Sequence, residues 1–319
     1  MSEMKYDAND LRAIEASGRF DANESMFFAR QLEAIKAQTY DVKRANLNAL
    51  QLMPVSTDVP EGATTITYRQ YDTVGMAKVI ANYANDLPRA DVTGKEFTSN
   101  IRSIGNAFGY NTQEIRSAIF AGVNLPARKA MAATRAHQEK INALAFTGDA
   151  DHGLPGLISN ANVPEVTLAA DGTGSSKTFA TKTADKIVRD VNALINKVIT
   201  QSKGIHRVNQ VWLPIEQYAL ISTTQNSTAS DTTILEFLQK NHPGVEFKQV
   251  VEMDGAGAGG ADRMYAMENS MENWQLEIPM MIKQYSPQQK GLEFEVPVES
   301  RFAGVIIEYP LAFAFADGI

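Results

Sequence analysis

The chain has 319 residues, 44% hydrophobic and 21% charged, with a formal net charge of −7. This is enough apolar content for a core in one large or two small domains, and the acidic balance argues against a free-standing, high-affinity nucleic-acid binder. With no cysteine, disulfides and thiolate metal sites are excluded; the first twenty residues lack the apolar core of a secretion signal, and no apolar run approaches the ~20 residues that span a bilayer.

Residues 1–22 read as a polar arm. Behind a capping Asn23, Phe28, Leu32 and Ile35 recur at helical spacing and predict a helix to about Gln38. From Gly62 to Ile80 the pattern changes. Thr65, Thr67 and Arg69 alternate with Ile66, Tyr68 and Gln70, a strand with little apolar content on either face. With the proline-containing stretch Asp86–Gly94 behind it, this predicts a long, solvated two-stranded hairpin. A hairpin that buries so little is marginal alone. It needs a surface to lie on, and a neighbouring subunit is one candidate.

Asn111 with Glu114 three residues later is a capping-box signature, so a helix starts there. Gly122 and Pro126 interrupt it and predict a bend or a restart. From Pro126 to Phe146 the helical pattern resumes through Ala130, Ala133, Thr134, His137, Ile141 and Leu144, a piece about 31 Å long. Residues 148–182 read as loops with short strands. Thr183–Lys203 carries the clearest stripe, from Ile187 and Val188 through Val191, Leu194 and Ile195 to Val198, ended by Gly204. A buried strand over 208–214 follows, Pro214 opens a short helix, and Ser230 or Asp231 caps another carrying Ile234, Leu235 and Leu238. Strands are predicted over 245–253, 263–268, 274–285, 292–299 and 303–315, with a tip loop over 254–262. The class is α+β, helix-rich in the middle and strand-rich at the end, without an internal repeat.

The motifs that suggest chemistry are incomplete. Asp171–Thr178 resembles a phosphate loop, but Asp171 and Ser176 stand where glycines are required. Gly255–Gly260 resembles a dinucleotide loop, but a strand follows where a helix N-terminus is needed, and a flexible hairpin tip is the simpler reading. Asp149–Gly153 starts like a calcium loop, but its third ligand position is Gly153 and no Glu closes it. His137, His152, His206 and His242 share no zinc spacing, and no nucleophile elbow occurs. Asp185 and Asp190 are placed on the polar, solvated side of their helix. Arg128, Lys129, Arg135 and Lys140 are either a solvated helix face or a face toward DNA. No catalytic, cofactor or metal site is predicted.

The order of elements and several stretches of text resemble the phage major capsid proteins of the Hong Kong 97-type fold. The stretches are TITYRQYDTVGMAKVI with NDLPRADV (65–92), AFGYNTQEIRSA (107–118), LPARKAMAATRAHQEKINALAFTGDADHGLPGL (125–157) and RFAGVIIEYPLAFAFADGI (301–319). The resemblance covers about residues 20–319. It implies an N-terminal arm (1–59), an extended E-loop (60–93), a peripheral domain (94–154 and 268–303, its spine helix about 111–146) and an axial domain (155–267 and 304–319). It implies intersubunit contacts through Tyr68, Arg69, Tyr71, Lys78 and Arg89, a capsomer-axis loop at Gly255, Gly257, Gly259 and Gly260, and Arg128, Lys129, Arg135 and Lys140 facing packaged DNA. The implied partners are further copies of the chain in hexamers and pentamers of an icosahedral shell, a portal, a decoration protein, and double-stranded DNA held without sequence specificity; no membrane is involved. Some relatives carry a scaffolding segment ahead of the arm. Only about twenty polar residues precede the first helix here, so a separate scaffolding protein is expected. Assembly in the host cytoplasm and residence in the virion follow from the same likeness. Some relatives also cross-link subunits; no such chemistry is predicted here. An encapsulin-type compartment shell shares the fold and stays open as an alternative, as does, from another class, an enzyme or small-ligand binder.

Overall fold

The computed structural model describes residues 45–75, 89–122, 124–227 and 229–319. The arm helix expected over Asn23–Gln38 and the side chain of Lys78 lie outside them. The chain divides into two units, and the elements are those of the second, Leu47–Ile319.

A short helix α1 (Ala49–Leu52) and strand β1 (Val55–Ser56) lead to the hairpin. Its strands β2 (Thr65–Val74) and β3 (Asp91–Asn100) pair antiparallel from Thr65 opposite Asn100 to Val74 opposite Asp91. Most of its described side chains are exposed, as the alternation of polar types on both faces requires. After the buried Ile101 the chain continues directly into β4 (Arg102–Asn111), a strand the sequence reading missed. Ile104, Asn106, Phe108 and Tyr110 are its half-buried alternate positions.

The capping box at Asn111 forms as expected. Its side chain accepts from the Glu114 amide at 2.6 Å, and Glu114 accepts from the Asn111 amide at 3.2 Å. Helix α2 (Thr112–Phe120) is stopped at Gly122, whose φ of +67° is a left-handed conformation that favours glycine. Helix α3 (Leu125–Thr147) restarts under an Asn124 cap with proline in its first turn, so the interruption is a true break. Residues 148–182 hold only isolated bridges and a single turn of 3-10 helix at Phe179–Thr181, among them Asp149 opposite Leu154.

Next come α4 (Ala184–Gln201), β5 (Gln210–Leu213), α5 (Ile215–Thr223), β6 (Gln225–Ser227), β7 (Ser230–Thr233), α6 (Ile234–Asn241) and β8 (Glu246–Gln249). The cap of α6 is Thr233, in a capping box with Glu236, and not Ser230 or Asp231, which belong to β7 paired with β6. The chain ends with β9 (Arg263–Met267), β10 (Trp274–Glu277), β11 (Met280–Gln284), β12 (Gln288–Lys290), β13 (Glu293–Phe302), β14 (Gly304–Ile307) and β15 (Phe313–Asp317). The predicted 303–315 strand is thus two, broken around Pro310, and they enter different sheets.

Three sheets build the body. Strand β13 pairs with β4 along ten residues and with β11 and β12 on its other edge. Helix α3 lies on that sheet: the Asn106 amide donates to the Ala133 carbonyl at 2.8 Å, and buried His137 meets Ser300 Oγ at 2.6 Å. A second sheet has the order β1-β10-β14, and a third β15-β9-β5-β8. The third is buried on both faces, and the two-residue period of its strands divides the core. Trp212, Tyr265, Met267 and Phe313 face Phe146 and Trp274 in one cluster. Val211, Leu213, Met264, Ala266, Ala314 and Ala316 face the α4 stripe in the other.

The glycine-rich segment 254–262 is not a hairpin tip. Strands β8 and β9 are separated by β5, so the segment is a crossover loop at the end of the sheet.

Candidate functional site

The hairpin root joins the hairpin to the body through aromatic packing and backbone hydrogen bonds. Tyr68 and Phe97, a cross-strand pair, stack at 5.2 Å between ring centroids. They roof a cavity of about 510 Å³ whose floor includes Leu154, Pro155, Val305 and Ile307. The Ile101 amide donates to the Thr64 carbonyl at 2.9 Å, and buried Ser99 Oγ donates to the Ala303 carbonyl at 3.0 Å. These bonds fix the place where β3 turns into β4. Beyond the root the hairpin carries its own surface chemistry: Arg69 and Glu96 pair at 2.7 Å with both side chains more than half exposed, and Tyr71 is 65% exposed. Such a surface pair contributes roughly 0–1 kcal/mol. Arg89 is also exposed.

Two of the four cations expected on α3 are half-buried. Lys129 Nζ donates to the Gly109 carbonyl at 2.7 Å and to Glu114 at 2.9 Å, and Arg135 pairs with Glu139 at 2.9 Å. Arg128 and Lys140 are exposed.

In the 254–262 loop, Gly255, Gly259 and Gly260 have positive φ, and a Cβ on Gly257 would meet Asp317 Oδ1 at 2.9 Å. The loop is tied at both ends. The Gly255 amide donates to Asp262 at 2.9 Å and the Ala258 amide to Asp317 at 3.0 Å, while Arg263 clamps both Asp317 oxygens at 2.6 and 2.8 Å. The flexible tip of the sequence reading is an anchored loop.

One cluster was misread. Asp190 is not on a solvated face but buried on the apolar side of α4, between Ile187 and Leu194. Its oxygens take Lys182 Nζ at 2.5 Å and Arg189 Nη2 at 2.7 Å, and the Lys182 side chain has no exposure. Arg189 also pairs with Asp171 at 2.6 Å and holds that carboxyl below the usual carboxylate range. The phosphate-like segment therefore presents a carboxylate to the cations on α4. Helical position was the available signal, since 190 is three residues past 187 and four before 194. In Asp149–Gly153, Asp149 is taken up by His152 at 2.8 Å. Among the described residues no group of three His, Cys, Asp or Glu side chains converges as metal ligands, and no helix is long and apolar enough to cross a membrane.

The model of the major capsid protein family matches residues 75–319, more than three quarters of the chain. The chain belongs to the major capsid protein family. Solved structures agree on the fold. The capsid of Myoviridae phage XM1 is 21% identical, with a TM-score of 0.80 over 92% of this chain and 99% of that one. The capsid of an empty GTA particle is 12% identical, with a TM-score of 0.65 over 93% and 99%. A virus-like particle from Pyrococcus furiosus is 12% identical, with a TM-score of 0.51 over 84% and 91%. No curated protein matches. The fold is the Hong Kong 97-type capsid fold, and the chain is a shell-forming subunit whose place is the virion capsid.

In this capsid subunit the β1-β10-β14 sheet holds a further group that the sequence did not signal. Glu277, at the end of β10, is buried; it bonds Ser56, and its Oε2 has no partner. Burial, with Asp58 nearby, pushes its carboxyl up. The fold therefore favours the protonated form. The penalty on the charged form is complete above the folded value and disappears as pH falls through it toward the unfolded value. Glu277→Gln is expected to raise the melting temperature by about 2–4 °C at about pH 8, equivalent to about 1 kcal/mol, with the gain vanishing near pH 4. Equal melting curves for parent and variant at pH 8 would show that the charged form bears no penalty.

Proposed function

We propose that this chain is the major head protein of a tailed double-stranded DNA phage. It forms hexamers and pentamers of an icosahedral shell that encloses DNA without sequence specificity. The observation that carries this reading is the β2–β3 hairpin, twenty paired residues that gain little cover from their own subunit on a body of the capsid fold. Such an element is stabilised by lying on a neighbour, which couples its order to assembly.

In this reading residues 1–59 are the arm and 60–93 the E-loop, with Tyr68, Arg69, Tyr71, Lys78 and Arg89 meeting other copies. The peripheral domain is 94–154 with 268–303, and the axial domain is 155–267 with 304–319. The anchored loop at Gly255–Gly260 faces the capsomer axis, where a fixed shape suits repeated close contact. Arg128 and Lys140, exposed on α3, are better placed to face DNA than the half-buried Lys129 and Arg135. The role is structural and without catalysis. Assembly takes place in the host cytoplasm with a portal and a separate scaffolding protein, and a decoration protein joins the finished shell.

The fold-level likeness to a virus-like particle favours one second reading, an encapsulin-type compartment that holds cargo enzymes. Electron microscopy of particles from expressing cells, with the absorbance ratio of their contents, separates the two. Large shells filled with nucleic acid are expected. Small closed shells filled with protein would favour the compartment, and a discrete small oligomer would overturn both.

A further inference from the structure

Helix α2 is left almost bare by its own subunit. Of its apolar residues Ile115, Ala118, Ile119 and Phe120, only Ala118 is buried; Ile119 is 73% and Phe120 96% exposed. Phe120 is the most exposed large apolar side chain among the described residues. Beside it, between α2 and α3, runs a shallow groove of about 430 Å³ lined by Gln113, Glu114, Ser117, Ala118 and Leu125. The charge on its rim is closed internally by the Glu114–Lys129 pair at 2.9 Å.

We infer that this corner is a contact between copies of the chain, in which Phe120 of one copy seats in the α2–α3 groove of another; the inference rests on the shell-forming reading. A protruding apolar group and an apolar groove on one patch are what a self-complementary contact requires, because every copy brings both. The groove's neutral rim removes the like-charge repulsion that would otherwise oppose two identical surfaces. Arg116, one turn before Phe120 on the same exposed side of α2, adds a cation able to lie against an incoming ring. Area decides the kind of partner. A bare phenylalanine with an isoleucine and a shallow groove offers about 400 Å² per copy. Two copies would bury about 800 Å², short of the ~1,200 Å² of a standing complex. The corner therefore holds no soluble partner by itself. It closes where other contacts already bring copies together, as they do in a shell.

The absence of cysteine from the chain makes the test direct. Differently tagged Ala121→Cys and Ser117→Cys chains, both keeping Phe120, are co-assembled and oxidised. Disulfide-linked dimers carrying both tags are expected from the particles and not from dispersed subunits. Phe120→Ser is expected to reduce closed shells at least tenfold while its subunit melts within about 2 °C of the parent, and Phe120→Leu to restore them. Normal shells from Phe120→Ser with no mixed dimers, or cross-links to another protein only, would overturn the corner contact alone. If the parent chain forms no particles, the shell reading fails and the corner contact falls with it.

Discussion

Asp190→Ala is expected to destabilise the subunit by about 3–5 kcal/mol, the typical cost of removing one partner from a buried ion pair. The pair is extreme in its burial: the Lys182 side chain has no exposure, the Asp190 side chain 4%, and the two approach to 2.5 Å. Without the carboxylate, the Lys182 ammonium faces only Asp171, at 3.7 Å, and Asp171 is already engaged by Arg189. Arg189 loses half of its own support. Since whole domains are stable by only about 5–15 kcal/mol, the change removes a large share, and the midpoint of urea unfolding should fall accordingly. Charge, more than shape, is at issue. Asp190→Asn should cost less than Asp190→Ala, and the double change Lys182→Met with Asp190→Leu should return much of the loss, because an apolar pair of similar size leaves no buried charge. A loss under about 1 kcal/mol in Asp190→Ala would mean that the Lys182 ammonium reaches water by local opening.

Asp190 also shows where reading by residue type fails. The apolar stripe of α4 was legible because Ile187, Val191, Leu194 and Val198 repeat at helical spacing, and all of them are buried. The same spacing places Asp190 in that stripe, but an aspartate reads as solvated unless its partner is known. Lys182 lies in a loop, and nothing in the sequence puts it over α4. Strand β4 was missed for a related reason. Its partner β13 lies some 180 residues later and supplies all ten ladder positions on that edge, while its own text alternates weakly around Gly105 and Gly109. The strand expected after the glycine-rich loop is β9. The loop was taken for a hairpin tip because strand order in the sheet, which puts β5 between β8 and β9, is a non-local property. The capping box at Asn111 and the break at Gly122 needed only local chemistry, and both were legible. The hairpin was legible because two-faced polarity in a strand is unusual. What it rests on was not, since Tyr68 and Phe97 meet across the ladder and find Leu154 and Val305 far away in sequence.

That hairpin gives the most consequential test of the assembly reading. Thr67 and Thr98 are a directly opposed pair whose hydroxyls lie 3.0 Å apart. Residues Tyr68–Phe97 can therefore be replaced by Asn-Gly, which closes an antiparallel pair with a type I′ turn and leaves the register of the root unchanged. The retained stub keeps the bond from Ser99 to the Ala303 carbonyl and that from Ile101 to Thr64. The subunit loses the partial burial of Tyr68 and Phe97, about 1–3 kcal/mol, and is relieved of ordering the excised residues. It should stay soluble, keep its far-ultraviolet dichroism and melt within a few degrees of the parent. Assembly should respond differently. Each copy gives up one arm of contact to a neighbour, the loss recurs at every subunit of a closed shell, and each 1.4 kcal/mol raises the required concentration tenfold. No closed shells are expected by light scattering or electron microscopy at concentrations where the parent assembles. A variant that folds and still closes normal shells would show that the hairpin is dispensable for assembly, and Tyr68, Arg69, Tyr71 and Arg89 would then have to be removed from the intersubunit surface.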